Sequence, residues 1–104
     1  MSFHPLVRTE ELHEGFRLVV ELNELRLLLL QVDGETYLVE NRCGHFGVPI
    51  DAGEISQGCI TCPVHGMRFR LRDGAVDNRP WEGCDPLRVF VLIEREGELG
   101  VELP

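Results

Sequence analysis

Two short stretches constrain this chain more than any other feature: Cys43-Gly44-His45 and Cys62-Pro63-Val64-His65. Each supplies one thiol and one imidazole, and sixteen residues lie between His45 and Cys62. Four soft or borderline donors in two clipped pairs form a ligand set for a metal centre. Thiolates and imidazoles suit iron–sulfur clusters and zinc, and the short spacing lets each pair grip from one loop. Zinc fingers place both cysteines first and both histidines last on a helix. Here the residue types alternate and no helical period surrounds them. From the residues alone an iron–sulfur centre, a zinc site, and ordinary core cysteines with surface histidines all stay open.

The stretches between turn signals are short and rich in β-branched or aliphatic residues, which predicts an all-β chain. Expected strands are 3–8, with Pro5 marking an edge, then 16–22, 25–32 and 36–40. The cluster loop 41–53 follows. Further strands are expected around 58–61, at 67–71, at 75–76, as one long apolar strand over 87–94, and at 98–102. Asn23-Glu24, Asp33-Gly34, Asp73-Gly74 and Glu96-Gly97 are the hairpin turns. Thr9 is expected to cap a single helical turn with Glu10 and Glu11 at its positive end.

At 104 residues the chain is expected to be one domain, 1–104, with a metal-binding part at about 41–71. Ten basic and eighteen acidic residues give a net charge of −8. Such a chain repels phosphate backbones, so nucleic acid is not an expected partner. The acidic surface favours either solubility or steering toward basic protein patches. The densest apolar run, Leu27 to Leu30, is far short of a membrane span, and residues 1–14 lack the apolar stretch of a secretory leader. The expectation is a cytoplasmic protein with no membrane partner, whose cysteines are thiols rather than a disulfide framework.

The order Cys-x-His, sixteen residues, Cys-x-x-His resembles the ligand signature of Rieske-type iron–sulfur domains, in particular the small Rieske ferredoxins. Asn41-Arg42 before the first box, Gly47 and Pro49 after it, and Gly66 to Phe69 then Gly74 after the second agree with it. The resemblance implies a fold of small antiparallel sheets, sandwich or barrel-like, with two cluster-binding loops at one tip. It implies one [2Fe–2S] cluster, with Cys43 and Cys62 on one iron and His45 and His65 on the other. It implies a one-electron carrier, not an enzyme, relaying electrons from a flavin-dependent reductase to a terminal oxygenase, with no small-molecule substrate. The high-potential branch of the family carries an extra cysteine in each box and hydroxyl donors near the sulfurs. The matching positions here are Val48, Val64, Met67 and Phe69, so the resemblance implies a potential in the lower part of the Rieske range.

Two rivals stand beside this reading: the small Rieske-like subunit of an assimilatory nitrite reductase, and a non-redox zinc-binding interaction module. Other residues have blander expectations. Cys59 reads as a buried strand thiol, and Cys84 as packing or a free thiol with no ligand role. His4 and His13 read as solvated, and Trp81 as a plug beneath the loops. Phe46, Val48, Pro49 and Val64 are expected to cover the cluster. Gly44, Gly47 and Gly66 are expected to let amides point at the sulfurs, with Gly44 affecting loop stiffness only. Glu35, Glu40, Asp51 and Glu54 are either an acidic docking rim or a solvated face.

Overall fold

The computed structural model describes residues 1–44, 47–78 and 83–104. His45, Phe46 and Trp81 therefore lie outside the described residues.

Strand β1 (Ser2–Arg8) runs into a 3₁₀ turn at Thr9–Glu11. β2 (Arg17–Leu22), β3 (Leu25–Val32) and β4 (Glu35–Glu40) form a meander. β5 (Glu54–Ser56), β6 (Cys59–Thr61) and β7 (Arg68–Arg70) form a second. β8 (Val89–Phe90), β9 (Ile93–Arg95) and β10 (Glu98–Leu103) return the chain. They pair antiparallel as three sheets, in the orders β1-β10-β9, β2-β3-β4-β8 and β5-β6-β7.

The Leu27–Leu30 run is continuous because β3 is covered on both faces, and all four side chains are buried. Leu28 and Leu30 pack with Ile50, Ile60, Met67 and Phe69 on the β5–β7 side. Leu27 and Leu29 pack with Val7, Val101 and Leu103 on the side of the terminal sheet. Each contributes about 2 kcal/mol of hydrophobic burial. The middle sheet thus separates two cores, and one of them continues into the loops that carry the ligand boxes.

Four hairpins turn through two residues that both have positive φ: Asn23-Glu24, Asp33-Gly34, Gln57-Gly58 and Glu96-Gly97. Turns of this hand match the twist of the paired strands. The Gln57-Gly58 turn makes the β5–β6 hairpin, whose first strand was not among the expected elements. β5 has three residues, too few for an alternating pattern to register.

Three other expectations are corrected. The single strand over 87–94 is two strands, β8 in the middle sheet and β9 in the terminal one, because the chain changes sheet at Val91 and Leu92. Ala75 and Val76 form a single bridge, Phe69 with Val76, and not a strand. Thr9 does not cap the 3₁₀ turn. Arg8 occupies the cap position and its amide donates to Glu11 Oε1 at 3.1 Å, while the Thr9 hydroxyl donates to the Gly97 carbonyl. Pro5 does sit on an edge strand, beside a register shift where β1 meets β10.

Candidate metal centre

The two ligand boxes fold into the same backbone loop. In the first, the Cys43 amide donates to the Val48 carbonyl and the Gly47 amide donates to the Cys43 carbonyl, both at 2.7 Å. In the second, the Cys62 amide donates to the Met67 carbonyl at 2.8 Å and the Gly66 amide to the Cys62 carbonyl at 2.9 Å. Gly47 and Gly66 hold φ of +73° and +71°. A side chain in that left-handed region is strained, so glycine closes each loop. The Gly47 and Gly66 amides themselves are spent on carbonyls.

Cys43 and Cys62, at matching roots of the loops, are buried in one apolar cluster with Val48, Met67, Phe69 and Leu87. His65 is half-buried, three residues beyond Cys62. His45, the remaining candidate ligand, lies outside the described residues. Two buried thiols of soft-donor character, with the half-buried His65 imidazole three residues beyond the second, fit the donor set of a mixed sulfur and nitrogen cluster. Among the described residues no three His, Cys, Asp or Glu side chains converge as the ligand set of a single ion. A two-iron centre asks instead for pairs.

Each loop is tied down by an asparagine. Asn41 is buried; its Oδ1 accepts the Ile50 amide at 2.8 Å and its Nδ2 donates to Asp51 Oδ1 at 2.9 Å. Asn78 Oδ1 accepts the Arg68 amide at 2.8 Å and its Nδ2 donates to the Gly66 carbonyl at 3.0 Å. Arg17 of β2 adds two bonds to the first loop, to the Asp51 and Gly53 carbonyls at 2.6 and 2.8 Å. The sequence reading quoted Asn41 only as a flank and passed over Asn78 and Arg17. Asn41 lies two residues before the first box, whereas Asn78 lies thirteen residues beyond His65 and is brought back to the second loop only by the turn after β7.

A third segment, 83–86, packs on the first loop at Gly44. A Cβ on Gly44 would overlap the Asp85 carbonyl, so the missing side chain does more than set loop stiffness. Cys84 is half-buried and packs against the cluster that contains Cys43 and Cys62. Burial pushes its thiol up to about 11, with Cys43 and Asp85 acting in the same direction. Cys59 is buried in β6, as expected.

The expected apolar cover is only partly present. Val48 packs inward, but Pro49 is exposed and Val64 is 62% exposed. Asp51 leaves the acidic set, since it accepts the Asn41 bond. His4 is half-buried rather than fully solvated, with its Nε2 buried on the strand that pairs with β10. His13 is exposed and sets its ring edge-on to Phe16. Met67 and Phe69 are wholly buried and bring no donor group to the site. Among the described residues no helix is long and apolar enough to cross a membrane.

Comparison with known proteins places this geometry. Human apoptosis-inducing factor 3 is 35% identical over 88 residues, which is 84% of this chain, while the chain spans only 14% of that protein's length. The ferredoxin subunit of 3-phenylpropionate/cinnamic acid dioxygenase from Photorhabdus laumondii is 31% identical over 91 residues, covering 86% of this chain and 84% of that one. A solved complex of reduced oxygenase and oxidised ferredoxin in carbazole 1,9a-dioxygenase contains a chain that superposes with a TM-score of 0.81 at 25% identity, over 95% of this chain and 100% of that one. The family model described as the Rieske [2Fe-2S] domain matches residues 2–92, and the chain belongs to that family.

Proposed function

We propose that Cys43 and Cys62 hold one iron of the Rieske cluster, that His45 and His65 hold the other, and that the chain is a one-electron carrier between proteins. The supporting observation is the matching pair of loop hydrogen bonds, which sets two buried cysteines at equivalent roots, with the half-buried His65 three residues beyond the second. When bound, the cluster accepts and releases a single electron.

The chain's own residues do the rest. Two neutral imidazoles in place of thiolates remove negative charge from the centre and favour the added electron. The buried cluster of Val48, Met67, Phe69 and Leu87 keeps water from the thiolate side. The exposed Pro63 and Val64 offer an uncharged tip through which a partner can approach the imidazole side. The dioxygenase ferredoxin relative and the oxygenase–ferredoxin complex support a terminal oxygenase as acceptor; a flavin-dependent reductase is the proposed donor. In this reading residues 1–104 are one cytoplasmic domain, with the ligand-bearing part at 41–71. The match to a small part of apoptosis-inducing factor 3 favours a second setting, the same electron-carrying domain within a longer protein.

Iron and acid-labile sulfide analysis with EPR of the dithionite-reduced protein tests the reading. Two irons and two sulfides per chain are expected, with a visible spectrum that bleaches on reduction. Colourless material containing zinc and no sulfide would overturn it.

A further inference from the structure

Cys84 reaches the first ligand loop because two glycines clear its path. Gly44 admits the Asp85 carbonyl, and Gly74 admits the Leu87 carbonyl. The Leu87 amide also donates to the Gly74 carbonyl at 2.8 Å, anchoring the segment that carries Cys84. The result packs the half-buried Cys84 side chain against the buried cluster that contains both Cys43 and Cys62. Its Sγ lies 3.3 Å from the Asp85 carbonyl, the acceptor that it meets within its own segment.

A thiol carries one hydrogen and can aim it by turning about its own C–S bond. A ligand sulfur on iron is anionic, and an ionised acceptor draws a donor more strongly than a neutral carbonyl does. Hydrogen bonds to the sulfurs are among the levers that set the potential of an iron–sulfur centre. Among the described residues, Met67 and Phe69 beside the two cysteines carry no donor group, and the Gly47 and Gly66 amides are bound to carbonyls.

We propose that Cys84 is a positioning residue for the electron-transfer centre: its S–H donates to the Cys43 sulfur and makes the centre easier to reduce. This rests on the assignment of Cys43 as a ligand. With the acceptor anionic, the S–H turns from the Asp85 carbonyl to the Cys43 sulfur.

The test compares the unmodified protein with Cys84→Ser and Cys84→Ala, each loaded to equal iron and sulfide content. Cys84→Ala is expected to lower the equilibrium constant for one-electron reduction several-fold, up to tenfold, which corresponds to about 59 mV. Cys84→Ser keeps a donor and is expected to stay at or above the unmodified value. Equal potentials in all three, or a serine variant as low as the alanine one, would overturn the proposal. The infrared S–H stretch of the unmodified protein gives a second reading that needs no variant to be stable. Cys59, the other thiol outside the ligand set, serves as internal standard. The Cys84 band is expected to move to lower frequency when the cluster is loaded; no movement would overturn the proposal. Cys43→Ala is the separate control. Full iron and sulfide in that variant would remove the ligand assignment and the role of Cys84 with it, whereas failure of the Cys84 measurements alone leaves the assignment standing.

Discussion

Asn41 and Asn78 bind the two ligand loops in the same manner, each using both halves of its carboxamide. Asn41 spans the Ile50 amide and the Asp51 carboxylate; Asn78 spans the Arg68 amide and the Gly66 carbonyl. Neither bond set uses a ligand side chain. The described backbone of each loop is therefore held by the chain itself, at Ile50 and Asp51 in the first and at Gly66 and Arg68 in the second.

Asn41→Ala removes the acceptor of the buried Ile50 amide. A buried donor left unpaired costs about 1–3 kcal/mol, so the melting temperature of the loaded protein should fall by several degrees. Asn78 is only half-buried, and Asn78→Ala should cost less. Differential scanning calorimetry of the two variants checks the order. Equal melting temperatures in all three proteins would show that the asparagines do not hold the loops.

Gly44→Ala should be more disruptive than Gly58→Ala, although Gly58 has the positive φ, +74°. At Gly58 an added Cβ meets nothing within 4 Å, so only backbone strain of about 1 kcal/mol is expected. At Gly44 the Cβ would overlap the Asp85 carbonyl, and the segment bearing Cys84 would have to move. The visible circular dichroism of the cluster should change in Gly44→Ala and stay constant in Gly58→Ala. An unchanged Gly44→Ala spectrum would mean that the 83–86 segment does not shape the site.

The strands with long runs or a two-residue turn were readable in the sequence. Leu25 to Val32 is β3 to the residue, because eight apolar or alternating positions between Asn23-Glu24 and Asp33-Gly34 leave little freedom. β5 was not readable, since three residues with the middle one apolar resemble a loop. The split of 87–94 was hidden for the opposite reason. Val89, Val91 and Ile93 alternate as one strand would, and only tertiary pairing sends Val89–Phe90 and Ile93–Arg95 to different sheets. At the candidate site the cysteines and histidines announced themselves by spacing. The approach of the Cys84 segment could not be anticipated, because it depends on the space left at Gly44 for the carbonyl of Asp85, forty-one residues away and outside both boxes.

His65→Cys should retain iron and lower the midpoint potential. A thiolate adds negative charge where an imidazole had none, and the Rieske range of about −150 to +300 mV lies above the roughly −400 mV of all-cysteine plant-type clusters. A fall on the order of 100 mV for one ligand is expected. Spectroelectrochemical titration checks it, and an unchanged midpoint would remove His65 from the ligand set. The unmodified protein should titrate in the lower part of that range, since Met67 and Phe69 provide no hydroxyl donor. A midpoint well above zero would contradict this.

Stability should fall on acidification partly through the turn after β7. Arg70 Nε and Nη2 donate to Asp73 at 3.2 and 2.9 Å, and the Ala75 amide donates to Asp73 Oδ1 at 3.0 Å. The Arg70 bond, followed by the Ala75 amide, holds the Asp73 carboxyl below the usual carboxylate range. A depressed carboxyl favours the folded state above the unfolded-chain value, near pH 4, and loses that contribution as pH drops through its folded value. Asp73→Asn should therefore flatten the pH dependence of unfolding below about pH 4. Urea titrations across that interval measure the slope; parallel curves for the two proteins would exclude Asp73 as a contributor.

Salt should slow electron exchange with a partner that presents a basic surface. The chain carries −8 overall, yet the ligand boxes themselves contain no charged residue, and Pro63 and Val64 at the second tip are exposed. Steering must then come from charges set back from the contact, such as Glu35, Glu40 and Glu54. Their field reaches an incoming protein only over about a Debye length, 10 Å at 0.1 M and 3 Å at 1 M ionic strength. Contact at an uncharged tip has no comparable salt sensitivity, so the two contributions separate in one experiment. Stopped-flow reduction by a purified flavin-dependent reductase should show a second-order rate that falls between 0.05 and 1 M salt, on the order of tenfold or more if long-range attraction governs encounter. The electron-transfer rate within the formed complex should stay constant. A second-order rate independent of salt would assign the acidic surface to solubility and leave the uncharged tip as the whole of the recognition.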